Sequence, residues 1–564
     1  MTHQIEQKNS TLKFLQTLLF PLAFLFIIFI LAEYFYHFIF PYSTIITNFA
    51  LLFFVILNLY KIILFEADLD FLKKNFIDIL AIVISILFHR QIIIFQFFII
   101  LRQAFILIDI IVTSEPALSL FARFKNHPAK MILLSFATVI IFGAIFLSLP
   151  MAASSGRSIG FTNAIFTSTS ATCVTGLVVV DTGSVFSHFG KLIILLLLQI
   201  GGLGIMTFST ALILLFGKRM SAGGESLMHG IIDDVIHKNL NKLVRTILFT
   251  TLTFELIGAA LLFIRFHTEF VSIKTALWYS LFHSVSAFCN AGFSFYADSF
   301  VRFRGNLIIN FTIMGLIIAG GIGFSVLMDI KRIITHKKPL RFLTLHSKIV
   351  LTVTFFLIIT GALLIFLFEY SQNFSRMPIR QGLLASLFQS VTARTAGFNT
   401  MDIGKISYAT GLWLMVLMFI GASPGSTGGG VKTTTFALMI LSVISIIKGR
   451  DEVEVYKSSI SQRVIKKVMA LIAISVGILI GAILILCITE TDAKFIKILF
   501  EAFSAFGTVG LSMGLTSKLT IVGKFSIIIL MYLGRVGPLT IAFALGEKKF
   551  KSSYRYTEGQ IAIG

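Results

Sequence analysis

Four short stretches carry small residues and a glycine in the same places. Ser170-Ala171-Thr172-Cys173-Val174-Thr175-Gly176-Leu177 aligns with Ser286-Ala287-Phe288-Cys289-Asn290-Ala291-Gly292-Phe293. The third is Val391-Thr392-Ala393-Arg394-Thr395-Ala396-Gly397-Phe398 and the fourth Ser504-Ala505-Phe506-Gly507-Thr508-Val509-Gly510-Leu511. The triplets Val174-Thr175-Gly176, Asn290-Ala291-Gly292, Thr395-Ala396-Gly397 and Thr508-Val509-Gly510 are candidate ion ligands through their backbone carbonyls. A ring of carbonyls can replace the water shell of a monovalent cation, and glycine accepts backbone angles that a side chain resists. A helix ending at each loop would add its negative end. The loops hold no carboxylate, which argues against a divalent-ion site built on acidic rings. Glycine also serves close packing of membrane helices, but four aligned loops favour the ion-coordinating reading.

A second feature follows each loop after about 24–28 residues: Gly201-Gly202-Leu203-Gly204, Gly320-Gly321-Ile322-Gly323, the run from Gly421, and Gly534-Arg535-Val536-Gly537. In the third copy it lengthens to Gly421-Ala422-Ser423-Pro424-Gly425-Ser426-Thr427-Gly428-Gly429-Gly430, ahead of Lys432. Five glycines and a proline there cannot sustain a helix, so the run predicts a flexible break in an apolar helix and a candidate gate. Arg535 stands in an otherwise apolar helix, where a charge costs roughly 2.5–3.5 kcal/mol and must face protein or water. Either it faces the ion path as an electrostatic barrier, or it snorkels or pairs structurally. Lys432 would continue a helix toward a cytoplasmic vestibule. Arg394 is placed at the outer end of a pore helix, in an ion pair. Cys173 and Cys289 read as packing residues rather than metal ligands. His283 and Glu501 sit in different repeats and make no nucleophile–base pair, so an intramembrane enzyme lacks a motif.

The elements that must position these loops follow from composition. Of 564 residues, 56% are apolar and 13% charged, about half the charged share of soluble chains. Long apolar runs extend from Phe14–Ile30 to Phe525–Leu533, so this is an all-α polytopic membrane protein. Three scattered cysteines make no disulfide framework. The net charge is +21, and Lys and Arg cluster in short strips between apolar runs: 218–245, 331–348 and 448–467 hold five, six and six Lys/Arg. The positive-inside rule puts these strips and both chain ends in the cytoplasm, and the glycine loops then open from the outer face.

The loop glycines 176, 292, 397 and 510 are 116, 105 and 113 residues apart, a period that marks internal repetition. Each repeat reads as helix, pore loop, helix around a central pore. First helices begin near Lys130, Leu243, Lys348 and Lys466; second helices cover roughly 190–217, 305–330, 408–447 and 521–547. The predicted domains are an N-terminal bundle over 1–125 and repeats over 126–242, 243–345, 346–463 and 464–564.

These residues resemble the Trk/Ktr/HKT superfamily of potassium transporters over about Lys130–Gly564. The Gly421–Thr434 run looks like that family's intramembrane gate, Gly534-Arg535-Val536-Gly537-Pro538-Leu539-Thr540 like its fourth-repeat counterpart, and Tyr554–Gly564 like the tail of the KtrB-type branch. The resemblance implies potassium uptake across the bacterial inner membrane. Glycine at all four filter positions goes with potassium, whereas sodium-selective relatives carry Ser in the first loop. A sodium-conducting or poorly selective transporter is the alternative. It also implies a homodimer in membrane lipid on a KtrA/TrkA-like cytoplasmic ring that binds the nucleotide. No resident cofactor is implied in this chain, K+ being the transported ion, and no nucleic acid partner. Flux in that branch is sodium-linked, though no sodium site is legible.

Residues 1–125 hold four apolar segments, 14–38, 44–65, 73–88 and 91–113. The run from Asn58 and Phe71–Val83 weakly resembles voltage-sensor helices, but Arg90 and Arg102 are twelve apart where a sensor has a basic residue at every third position. A degenerate sensor-like bundle and a lipid-facing scaffold both fit.

Overall fold

A computed structural model of the chain describes residues 128–204, 240–375 and 377–538. The four N-terminal segments, most of strip 218–245 and the tail Tyr554–Gly564 lie outside the described residues. The four repeats belong to the unit formed by His127–Ser148, Ala152–Ser154 and Ile159–Gly564.

Among the described residues the chain is helical apart from one small hairpin. A long helix, a short helix and a second long helix recur four times. The first set is α1 (Pro128–Ser148), α2 (Phe161–Thr172) and α3 (His188–Gly202). The second is α4 (Leu240–Glu269), α5 (Ile273–Phe288) and α6 (Leu307–Gly321), continued by α7 (Phe324–Thr335). The third is α8 (Leu345–Glu369), α9 (Ile379–Thr392) and α10 (Tyr408–Phe419), continued by α11 (Thr433–Ile447). After the hairpin β1 (Val453–Val455) and β2 (Ser458–Ile460) come α12 (Gln462–Thr489), α13 (Phe495–Phe506) and α14 (Ile521–Val536). First helices begin two to four residues ahead of the starts predicted from the sequence.

Helix lengths sort the roles. A span needs about 20 residues; Val244–Glu269, Leu345–Phe374 and Gln462–Thr489 pass that test. Their outer faces are apolar and bare, as at Phe249, Leu256 and Phe355, exposed by 68%, 61% and 69%. Water would penalise such continuous surface and lipid does not. The pore helices α2, α9 and α13 have 12, 14 and 12 residues. At 1.5 Å per residue they reach roughly two-thirds of the way across a bilayer core or less.

In the first three repeats small residues let the pore helix seat against its first helix. Ser168 Oγ donates to the Ile140 carbonyl (2.7 Å), Ser284 Oγ to Glu255 O (2.6 Å) and Ser390 Oγ to Ile358 O (2.8 Å). One turn on stand Gly143, Gly258 and Gly361, where an added Cβ would come within 3.0 Å of those same hydroxyls.

The second-repeat helix, predicted over 305–330 with an interruption at its glycines, turns sharply there: α6 and α7 meet at 102°. Gly323 turns there with φ 93°, and the freed Phe324 N–H donates to Gly425 O at 3.1 Å. The basic strip 448–467 has structure of its own. It contains the β1–β2 hairpin, turned by Tyr456 and Lys457 at positive φ and tied to α8 by Tyr456 Oη and Thr352 Oγ1 at 2.7 Å.

Candidate functional site: a four-loop carbonyl ring and the loop beneath it

The C-termini of the four pore helices deliver the predicted triplets to one place. Thr172, Phe288, Thr392 and Phe506 are the last helical residues, and the chain reverses hand two or three residues on. Val174, Asn290, Thr395 and Thr508 have φ of 56°, 59°, 78° and 51°, and Gly176, Gly292, Gly397 and Gly510 have 88°, 67°, 80° and 93°. A non-glycine residue in this region is uncommon and costs of order 1–3 kcal/mol. Here it recurs at the equivalent position of all four loops, held by the packing around it.

Hydrogen bonds explain the turn. Thr175 N donates to Ser170 O, Ala291 N to Ser286 O and Val509 N to Ser504 O, each at 2.8 Å; Ala396 N donates to Thr392 O at 2.9 Å. Gly176 N and Gly510 N reach the hydroxyls of Ser170 and Ser504, both at 3.1 Å. The N–H groups are thus consumed behind the loops. None of the twelve triplet carbonyls accepts a hydrogen bond from a described residue.

The loops close on themselves in order. A Cβ on Gly176 would fall within 3.0 Å of the Ala291 carbonyl oxygen, one on Gly292 of Ala396 O, one on Gly397 of Val509 O and one on Gly510 of Thr175 O. Each glycine abuts the middle carbonyl of the next loop, and the fourth returns to the first. Nearest neighbours are backbone, which cannot swing aside as a side chain can. All four triplets are therefore brought together, and a side chain at any of the four glycines would push a carbonyl.

Beneath this ring runs the stretch Ile420–Lys432 between α10 and α11. It forms no helix, as its glycines and proline dictate. It is also not slack: Gly421 N donates to Val431 O (2.8 Å), Ser423 N to Gly321 O (3.0 Å), Thr427 N to Gly320 O (3.2 Å) and Gly430 N to Gly534 O (3.2 Å). Ser423 Oγ meets Thr433 Oγ1 at 2.9 Å, and Gly323 lies against Pro424 O. The second-helix glycines of repeats 2 and 4 thus hold the loop by their carbonyls. Ser426 Oγ is buried without a partner among the described residues.

Arg535, 7% exposed, reaches from α14 to donate to Thr427 O in the loop and Gly201 O at the end of α3. Its partners are backbone carbonyls of other repeats, and snorkelling is excluded. Lys432 does not ride a helix toward a vestibule. It precedes α11 and folds back, Nζ donating to Gly428 O at 2.7 Å. Arg394 lies at the C-terminal, inner end of its pore helix and not the outer end. It is 6% exposed, and its bond is to Thr354 Oγ1 (3.4 Å) rather than to an acid.

Cys173 and Cys289 are buried free thiols, and among the described residues no His/Cys/Asp/Glu group of three could hold a metal. His283 and Glu501 each stand nine positions before a ring glycine and brace the chain beyond it. His283 Nε2 receives the Phe295 N–H (3.3 Å) and lies 3.2 Å from Ser294 Oγ, while Glu501 accepts from Ser512 Oγ (2.8 Å) and Thr516 Oγ1. Sequence reading missed Glu369 and Glu490, which close the first helices onto the second: Glu369 accepts from Ser407 N (2.8 Å) and Glu490 from Thr520 Oγ1 (2.6 Å). The signal was available as a lone acid at the end of an apolar run. Glu255, in mid-helix, accepts from Gln199 Nε2 at 3.2 Å.

The chain can now be set beside known proteins. The family model TrkH, "Cation transport protein", matches residues 101–552, beginning ahead of Lys130. The "Ktr system potassium uptake protein B" of Bacillus subtilis is 40% identical over 439 residues, 78% of this chain and 97% of that relative. The "Potassium/sodium uptake protein NtpJ" of Enterococcus hirae is 38% identical over 448 residues, 78% of this chain and 98% of that relative. The crystal structure of the potassium transporter TrkH from Vibrio parahaemolyticus superposes with a TM-score of 0.61 at 17% identity, covering 84% of this chain and 96% of the other. That likeness shows the fold. With a family match over most of its length and a full-length relative at this identity, the chain belongs to the TrkH family of cation transport proteins.

Proposed function

We propose that the chain takes up potassium, the four triplets forming its selectivity filter and the Gly421–Gly430 loop its gate. The observation that carries this reading is the closed ring of glycines, its carbonyls accepting no hydrogen bond from a described residue, above a loop tethered by Arg535 and Lys432. Carbonyl dipoles, the negative ends of four pore helices and the absence of any carboxylate in the triplets suit a dehydrated monovalent cation. The family members above are named as uptake proteins, and the chain is a transporter, not an enzyme.

The finer assignments belong to the same proposal. In this proposal the chain is a homodimer, and the exposed Lys337, Lys338 and Arg341 and the hairpin strip suit a bacterial inner membrane with cytoplasmic termini. A KtrA/TrkA-like ring would dock there, bringing the nucleotide on a separate chain; this chain carries no resident cofactor. The Bacillus relative is named for a Ktr system, which supports such a partner. The Enterococcus relative, named for both potassium and sodium, favours a second reading: a less selective cation pathway with sodium coupling. The test is rescue of a potassium-uptake-deficient bacterium at submillimolar potassium, with a ring subunit co-expressed and sodium varied. Rescue by the wild type that is lost in Gly176→Ser supports the proposal. Growth indifferent to Gly176→Ser, or no rescue, refutes it.

A further inference from the structure

The innermost residue of each triplet faces two ways. Its carbonyl belongs to the ring, while its side chain points at a glycine of the elements below. Val174 Cγ2 lies against Gly201 and the Asn290 amide against Gly321. Thr395 Oγ1 lies against Gly428 and Thr508 Oγ1 against Gly429, so close that a Cβ on either glycine would come within 3.0 Å. The last contact is also a hydrogen bond, Gly429 N–H to Thr508 Oγ1 at 3.1 Å. With the Asn290 amide nitrogen facing Ala287 O and Ile317 O (3.1 Å each), its oxygen accepts from Thr395 Oγ1 at 3.2 Å. The two threonines are fully buried; the Thr508 hydroxyl bonds the loop directly, while the Thr395 hydroxyl bonds the Asn290 amide and meets the loop by packing against Gly428.

Resting on the filter and gate reading above, we propose that Thr508 and Thr395 are positioning residues that couple the loop to the innermost carbonyls of the filter. Displacing Gly428–Gly430 breaks the Gly429–Thr508 bond and unseats Thr395. These are the residues held at φ 51° and 78°, so the carbonyls they carry lose a fixing contact when the loop leaves. Coupling between two sites is reciprocal: a cation on the inner carbonyls favours the seated loop, and a seated loop sharpens the inner site. Packing alone would not need a hydroxyl at Thr508.

The test is Thr508→Val, close in shape but lacking the hydroxyl, in the full chain with its ring subunit in proteoliposomes. A net hydrogen bond changes an equilibrium by a factor of about two to ten. Thr508→Val is therefore expected to raise the maximal rubidium uptake rate and the KM for potassium together, each by about that factor. Thr508→Ser, which restores the hydroxyl, should return most of both changes. A Thr508→Val protein with wild-type rate and KM, or a serine variant as altered as the valine one, overturns the coupling while leaving the potassium reading intact. That reading has its own control in Gly176→Ser, and wild-type vesicles that move no potassium would overturn both. If Thr508→Val does not reach the membrane, Thr508→Ala and Thr508→Ser decide by the same criteria.

Discussion

Arg535 gives the most informative single perturbation. Its guanidinium is the one charged group that bonds both the intramembrane loop, at Thr427 O, and the first repeat, at Gly201 O, among the described residues. A hydrogen bond to a charged group is worth about 1.5–3 kcal/mol. Only the Thr427 bond must break when the loop moves away, so its loss in Arg535→Ala should shift the closed-to-open ratio about tenfold to a hundredfold at 1.4 kcal/mol per decade. Removing the buried positive charge also lowers any barrier to a cation leaving the ring, an effect of the same sign. Arg535→Lys separates the two contributions: it keeps the charge but lacks the planar fork that reaches two carbonyls at once. The assay is initial rubidium uptake into proteoliposomes, normalised to incorporated protein. The alanine variant should conduct faster and the lysine variant fall between it and wild type. Unchanged or slower flux in Arg535→Ala at equal incorporation would refute the tether.

Three further outcomes are expected. Gly361→Ala places a methyl within 3.0 Å of Ser390 Oγ and should destabilise the fold by about 1–3 kcal/mol, read as a lower detergent unfolding temperature; Gly477→Ala, with nothing within 4 Å, should leave it unchanged or raise it. Glu490→Ala removes the acceptor at the N-terminus of α14 and should cost about 0.5–2 kcal/mol in the same assay without altering ion preference. Glu501→Gln leaves an acceptor short behind the fourth loop, where Ser512 and Thr516 both donate, and should weaken potassium affinity with little change in maximal rate; unchanged affinity would show that the brace does not reach the ring.

Much of this arrangement is legible in the sequence because glycine at a fixed spacing has few physical excuses. The helix–loop–helix order, the first-helix starts and the break at Gly421–Gly430 follow from apolar length and from the glycine and proline penalties. What escaped depends on partners distant in sequence. Nothing near Gly323 reveals that its turn makes room for Pro424 and Gly425. The loop was expected to be flexible because its composition opposes a helix; composition does not show that Gly320, Gly321 and Gly534 offer carbonyls to its N–H groups. Arg394 and Lys432 were misplaced for a related reason. A lone basic residue near a helix end suggests an ion pair or an exit to water, whereas both here turn inward to protein oxygen atoms. The left-handed residues before each glycine are β-branched or Asn, and only Asn would have hinted at such a conformation.

The central claim is that four equivalent carbonyl sites act as one ring. Its most direct test is potassium against sodium flux in proteoliposomes for Gly176→Ser, Gly292→Ser, Gly397→Ser and Gly510→Ser, each compared with wild type. Because each glycine abuts the next loop's carbonyl, all four substitutions should cut potassium preference. A wild-type preference retained in any well-incorporated member of the set would contradict the ring.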